Sequence, residues 1–102
     1  MHTLIKTKTP AVSASVNCVH STHLTVQMTV EGTREGQKVI AEALLEGSLD
    51  GKGWFTISEL KADGNEYATD GGAFETLWSF IRAKVKSVSN DSTVTMYLAK
   101  RG

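Results

Sequence analysis

The sequence predicts an α+β protein: an antiparallel β-meander of about four to five strands, packed on one face by a single C-terminal amphipathic helix. Three observations favour this class. Apolar and polar residues alternate with period two over much of the first 60 residues, which is typical of strands with one buried face. Glycine-containing turns separate these segments. Near the C-terminus the apolar spacing becomes helical, and one more alternating segment closes the chain.

Two alternating segments begin the meander. Residues 11–18 alternate Ala, Val and Cys with Ser and Asn, and residues 24–31 alternate Leu, Val and Met with Thr, Gln and Glu. Only the short stretch HSTH separates them, so we expect them to pair as a hairpin. Pro10 predicts the point where an earlier extended piece, residues 3–8, meets the first long strand.

The segment 38–49, KVIAEALLEGSL, fits two structures. Ala, Glu and Leu favour a helix, and its charged residues recur every four positions on one helical face. The apolar residues, in contrast, fall on every second position, as they do in a strand. We favour the strand because the neighbouring turns make a regular meander, and a helix is the alternative.

The stretch GSLDGKG, which follows Glu46, resembles a phosphate-binding loop at first sight. A Walker loop needs four residues between its first Gly and the Gly-Lys pair, followed by Ser or Thr. Here only three residues separate Gly47 from Gly51, and Gly53 follows the lysine. The next residues are β-branched and aromatic. The stretch therefore predicts the turn of a hairpin whose second strand covers residues 54–60.

A polar, glycine-rich stretch, residues 61–72, predicts a loop. The helix is predicted over about 73–88, where one apolar stripe follows helical spacing and basic residues occupy the later turns. The stripe consists of Phe74, Leu77, Trp78, Ile81, Val85 and Val88. A last strand is predicted over about 93–99, where Val94, Met96 and Leu98 share one side.

Length and charge limit the classes of function. The 102 residues predict a single domain, 1–102, and Lys plus Arg equal Asp plus Glu at 11 each. A chain with no formal net charge has no general attraction to nucleic acid or to an acidic membrane. No stretch approaches the roughly 20 apolar residues of a membrane span. The single cysteine, Cys18, and the absence of a secretory signal after Met1 predict a cytoplasmic protein.

No residue pattern predicts catalysis, a cofactor or a metal ion. Cys18, His20 and His23 are close in sequence and carry ligands that zinc accepts. Their spacing matches no zinc-finger pattern, and a strand that points Cys18 inward would separate it from the histidines. The paired carboxylates, Asp63 with Glu66 and Asp50 with Glu46, look like solvated turn and surface charges, and nothing predicts the burial that acid–base work needs. We therefore predict that the protein is not an enzyme and uses no cofactor or metal.

The sequence hypothesis for function is a small non-enzymatic binding protein that acts through a protein–protein interface. We expect it to self-associate and to be of the accessory or inhibitor type, encoded by a phage or a mobile element. Phe80 lies off the predicted helical stripe, and large aromatic residues are enriched at interfaces. Ile40 and Leu44 fall on the outer side of the predicted strand, and Tyr67 lies in the predicted loop. These four residues are the predicted interface.

The alternative hypothesis is a single-stranded nucleic-acid-binding protein. A meander can present aromatic side chains on which bases stack, and lysine or arginine residues can contact phosphates. The residues that we assign to this role are Trp54, Lys52, Arg34 and Lys38. The absence of net positive charge argues against it.

Overall fold

The computed structural model describes residues 1–102 and is built from nine β-strands, with no helix. Three short strands are followed by six long ones. Their bounds are β1 His2–Thr7, β2 Ala11–Val12, β3 Val16–Asn17, β4 His23–Glu31, β5 Lys38–Ser48, β6 Phe55–Asn65, β7 Tyr67–Glu75, β8 Phe80–Val88 and β9 Thr93–Arg101.

The strands form two antiparallel sheets that pack face to face as a sandwich. One sheet has the order β1-β9-β4-β7, and the other has the order β2-β8-β5-β6, with β3 also paired to β8. Buried apolar side chains from both sheets form one core between them. Because inward and outward residues alternate, each sheet also has an outer face that is turned away from the core.

The predicted class is wrong, because the helix over 73–88 is absent. Residues up to Glu75 complete β7, and Phe80–Val88 form β8, which pairs with β5 in the centre of the five-stranded sheet. Ile81, Ala83 and Val85 point into the core, while Arg82 and Lys84 lie on the outer face. The protein is all-β, and neither the helix nor the α+β class describes it.

The pairing of the early strands also differs from the prediction. Residues 11–18 do not form a hairpin with β4: they supply the two-residue strands β2 and β3, which lie on the edge of β8. Strand β4 pairs with β7 and β9, and the early strand β1 pairs with β9. The chain therefore crosses between sheets more often than a meander does.

The ambiguous segment 38–49 is a strand over Lys38–Ser48, and its even alternation explains why. Val39, Ala41, Ala43 and Leu45 are buried on one side. This strand and β6 make the hairpin predicted from the glycine-containing turn. The closing strand is also present, as β9.

The stretch 61–72 is not a loop. It forms the second half of β6 and the first half of β7, and the chain passes from one sheet to the other at Glu66, which adopts a positive φ of 68°. The side chain of Asp70 joins the two edges, since its Oδ2 accepts a hydrogen bond from the backbone N–H of Lys61 at 2.9 Å.

The chain forms no helix, and therefore none that is long and apolar enough to cross a bilayer.

Candidate functional site

The predicted interface residues do not lie on one surface. Ile40, Leu44 and Phe80 are half-buried on the outer face of the five-stranded sheet, where Leu44 pairs with Lys84 and Phe80 pairs with Ser48. Tyr67 begins β7, in the other sheet, and is half exposed. The structure thus brings three of the four residues to one sheet face and leaves Tyr67 apart from them.

The residues assigned to nucleic-acid binding are divided between two ends of the molecule. Trp54 and Lys52 lie at the turn between β5 and β6. Lys38 and Arg34 lie at or before the start of β5, about 30 Å away along a strand of this length. Both carry ion pairs: Lys38 Nζ lies 2.6 Å from Asp63, and Arg34 lies 3.6 Å from Asp91.

A concentration of exposed apolar side chains occupies the end of the sandwich where β5 finishes and β8 begins. We call this surface the apolar end, and it comprises Val19, Leu49, Phe55 and Leu77. Their exposed fractions are 55%, 66%, 61% and 79%, which are large for apolar side chains of this size. Hydrogen bonds join two of the connecting loops, since Cys18 N–H donates to the Ser79 carbonyl oxygen and Thr76 N–H donates to the Thr22 carbonyl oxygen.

Aromatic rings support the apolar end from below. The rings of Phe55 and Trp78 stack, with centroids 5.6 Å apart and an interplanar angle of 21°. Trp78 lies directly over Gly47, where a Cβ atom would stand 2.6 Å from its ring. The glycine therefore makes the space in which the indole sits. This packing fixes Phe55 in place although much of its surface is exposed.

A charged stack lies on the outer face of the five-stranded sheet. Arg82 Nε donates to Glu46 Oε1 at 2.8 Å, and the Arg82 guanidinium lies 4.2 Å from the centre of the Trp54 ring. Glu46 is buried, so this pairing supplies the charge partner that a buried carboxylate needs. One side of the Trp54 ring is consequently covered by the guanidinium.

The turn between β5 and β6 is built around Asp50. Its Oδ1 accepts hydrogen bonds from the backbone N–H groups of Gly53 and Lys52, at 2.9 and 2.8 Å, and from the Ser48 hydroxyl at 3.0 Å. These bonds favour the ionised carboxylate, and they lower the pKa of Asp50, with the Gly53 bond contributing most. Two backbone N–H groups of this stretch, which resembles a phosphate-binding loop, therefore bind the side chain of Asp50.

We expect Asp50→Ala to destabilise the protein at neutral pH. In acid we expect the difference in stability between the two proteins to disappear. A carboxyl with a depressed folded-state pKa contributes stability above its unfolded pKa, and that contribution disappears as the pH falls through the folded value. The measurement is urea unfolding of both proteins at pH 7 and at an acid pH below the lowered pKa that Asp50 has in the folded protein, which lies below the ordinary aspartate value of about 3.9. Glu59→Ala, which removes a carboxylate outside this turn, is the control. A difference that is as large in acid as at pH 7 would contradict the assignment.

The residues considered for metal binding are separated. Cys18 is buried, and burial raises the pKa of its thiol, while Lys100 opposes this rise. His20 and His23 are exposed, and His23 lies 3.5 Å from Glu75. No three side chains of the His, Cys, Asp and Glu type converge as metal ligands.

Four shallow depressions are present, and the largest is on the four-stranded sheet. It measures about 460 Å³ and is lined by His23, Thr25, Ala99, Lys100 and Arg101. The lining groups come from two adjacent strands, β4 and β9.

No protein-family model matches the sequence, and no curated protein matches it. Solved structures do match the fold. The crystal structure of the SPBc2 prophage-derived protein YomS has a TM-score of 0.58 and 16% identity, and the match covers 98% of this chain and 90% of YomS. The chain is similar in fold to a prophage protein.

Two further structures share the architecture. The PBSX exported protein XepA has a TM-score of 0.60 and 9% identity, and this chain spans 37% of its length. The N-terminal cellulose-binding domain of Cellulomonas fimi β-1,4-glucanase C has a TM-score of 0.54 and 16% identity, with 89% of this chain and 68% of that domain covered. At these identities the comparisons establish the fold alone.

Proposed function

We propose that the protein is a non-enzymatic binding protein that acts through a protein–protein interface at its apolar end. The observation that supports this most directly is the exposure of Leu77, Leu49 and Phe55 at one end of the sandwich. Exposed apolar side chains that cluster mark interaction surfaces more often than scattered ones do. The stacked Phe55 and Trp78 rings supply the kind of rigid aromatic anchor that is enriched at interfaces.

We propose a second copy of the chain as the partner. The chain has no formal net charge, so long-range repulsion between copies is small. The charged residues of the turn beside Leu49 are Asp50 and Lys52, which are of opposite sign and present no single-sign field. Most soluble oligomers are symmetric and bring the same surface of each copy together.

The matches to YomS and XepA support an accessory role in a phage or a mobile element, as part of the same proposal. The cellulose-binding domain is a further instance in which this fold serves binding. The single buried cysteine supports a cytoplasmic location. The word "exported" in the name of XepA makes secretion the alternative.

Single-stranded nucleic acid is the second ligand class that we propose to test. Trp54 beside Lys52 favours it, because a partly exposed indole can stack on a base. The distance of Arg34 and Lys38 from Trp54 counts against it. Failure of an oligonucleotide to change Trp54 fluorescence at low salt would remove this class.

We expect Leu77→Ser to weaken self-association by about tenfold or more, because it replaces an exposed apolar contact by a hydroxyl. Size-exclusion chromatography with light scattering should give a mass that is a multiple of 11.0 kDa for the parent protein and a shift toward 11.0 kDa for the variant. Val12→Ser alters an exposed apolar residue on β2, outside the apolar end, and should leave the mass unchanged. A parent protein that is monomeric at its highest soluble concentration would contradict self-association.

A further inference from the structure

The largest depression of the molecule lies on the outer face of the four-stranded sheet, where β4 begins and β9 ends. It measures about 460 Å³ and is lined by His23, Thr25, Ala99, Lys100 and Arg101. His23 pairs with Arg101 and Thr25 pairs with Ala99, so the depression crosses two neighbouring rows of the sheet. Strand β1 pairs with β9 as far as Leu98, and beyond that residue β9 has no neighbour on this side. The depression therefore opens to solvent at the edge of the sheet.

The charge of its lining distinguishes this depression from the other three. Two cations and a histidine line it, and no carboxylate does. The second depression combines two lysines with Glu42 and Glu59, and the third combines Lys6 with Glu31. The fourth includes Glu75 beside the histidine. A concave surface lined by basic groups alone focuses a positive potential, which attracts anions.

The two cations of the depression are not neutralised within the molecule. The five ion pairs of the structure use other lysine and arginine residues, and the nearest of them joins His23 Nε2 to Glu75 at 3.5 Å. Lys100 Nζ donates to the Asn17 carbonyl oxygen at 2.7 Å, which leaves its charge uncancelled. The guanidinium of Arg101 has no carboxylate partner and is exposed. Arg101 is therefore free to bind an anion from solution.

From this arrangement we infer that the depression binds the phosphate group of a small molecule. The planar guanidinium of Arg101 presents parallel N–H groups that match two phosphate oxygens. The Thr25 hydroxyl and the His23 ring supply further hydrogen-bond donors from the adjacent strand. Ala99, whose side chain is a methyl group, leaves space between the larger residues Tyr97 and Arg101 of the same face. A volume of about 460 Å³ falls in the range of small-molecule sites.

Other anions fit this depression less well. A nucleic-acid strand needs cations repeated along its path. Beyond Arg101 the next outward pairs of β4 and β9 carry no charge: Thr25 with Ala99, Gln27 with Tyr97, and Thr29 with Thr95. A carboxylate has two oxygens in one plane, which a single guanidinium satisfies. A phosphate monoester carries more charge and three acceptor oxygens, so it can reach Arg101 and Thr25 together. This inference goes beyond the proposed self-association and does not depend on it.

A titration followed by two-dimensional amide NMR at low ionic strength tests the inference, with phenyl phosphate as the ligand and benzoate as its carboxylate counterpart. We expect phenyl phosphate to bind saturably and to shift the amide signals of Thr25, Ala99 and Arg101. Benzoate should bind about tenfold more weakly or not at all. Inorganic phosphate should displace phenyl phosphate, because the phosphate group is the part that the site recognises.

Four variants at exposed positions separate this site from a general effect of charge. Arg101→Gln should weaken binding by about fivefold or more, because it removes the free guanidinium. Ala99→Leu fills the depression without altering charge and should weaken binding by about tenfold. Glu75→Gln removes the carboxylate beside His23 and should tighten binding by about twofold to fivefold. Lys84→Gln, on the outer face of the other sheet, is the control and should bind as the parent does.

Several outcomes would overturn the inference. They are the absence of saturable binding of phenyl phosphate, equal binding of benzoate, and amide shifts that lie away from the ends of β4 and β9. Unchanged affinity in both Arg101→Gln and Ala99→Leu would also exclude the site, and either variant suffices if the other fails to fold. A loss in Lys84→Gln as large as that in Arg101→Gln would show attraction to overall charge and no site. A Glu75→Gln protein that binds no tighter than the parent would contradict the placement of the anion beside His23.

Discussion

Ile81→Ala should lower the free energy of unfolding by about 2–5 kcal/mol, the range for a large aliphatic side chain truncated in a packed core. Ile81 is 0% exposed and lies on β8, between Val16 of β3 and Gly47 of β5. Truncation leaves a cavity there that rigid strands on both sides cannot close. Urea unfolding followed by tryptophan fluorescence measures the change, because Trp78 packs against the same core.

Leu77→Ala is the matched control, and it distinguishes the observed fold from the predicted helix. Leu77 is 79% exposed in the single chain, so its truncation should change the unfolding free energy by no more than about 0.5 kcal/mol when both variants are unfolded at a concentration at which they are monomeric. In the predicted helix, Leu77 and Ile81 would lie one turn apart on the same buried stripe, and the two variants would be equally destabilised. Equal losses would therefore contradict the sandwich.

A bulge in β8 accounts for the last part of the false helical stripe. Ile81 and Val85 are four residues apart, a spacing that suits both a helix and a strand. Between Ala43 and Glu42 of β5 the register skips one residue of β8, since Val85 is followed by Ser87 as the next partner. This bulge reverses the alternation, so Val88 also faces the core and completes an apparent helical spacing of four and three.

The sequence did contain a signal against the helix. Arg82, Lys84 and Lys86 recur at every second position, with a small residue, Ala83, between the first two. Charged residues at every second position indicate a strand, just as apolar residues at every second position do. The core residues of strands β4, β5 and β9 alternate with outward residues without an interruption of the kind found in β8. These three strands were therefore predictable from the sequence.

The partner of each strand was less predictable than the strand itself. Short separation in sequence favoured a hairpin between residues 11–18 and β4, but β2 and β3 instead lie along β8. Such pairings depend on which sheet edges remain free after the long strands have paired, and local spacing carries no information on this. The apolar end was missed for the same reason, because Leu77 was assigned to the core with the helical stripe.

Among substitutions outside the core, Gly71→Ala should cause the largest loss of unfolding free energy. Gly71 belongs to a stretch, residues 61–72, whose glycine content predicted a loop, yet it lies within β7 opposite Gln27. A Cβ atom there would stand 2.5 Å from the Val26 carbonyl oxygen, which is backbone and cannot rotate away. The glycine thus permits a close approach of two strands and does not mark a turn.

We expect Gly71→Ala to lower the free energy of unfolding by about 1–3 kcal/mol, because the backbones of β4 and β7 must separate to admit the methyl group. Gly53→Ala is the control, since the nearest atom to its added Cβ is Asp50 Oδ1 at 4.0 Å. Urea unfolding of both variants compares them directly. If Gly71→Ala proved as stable as Gly53→Ala, then β4 and β7 would not approach as closely as the structure shows.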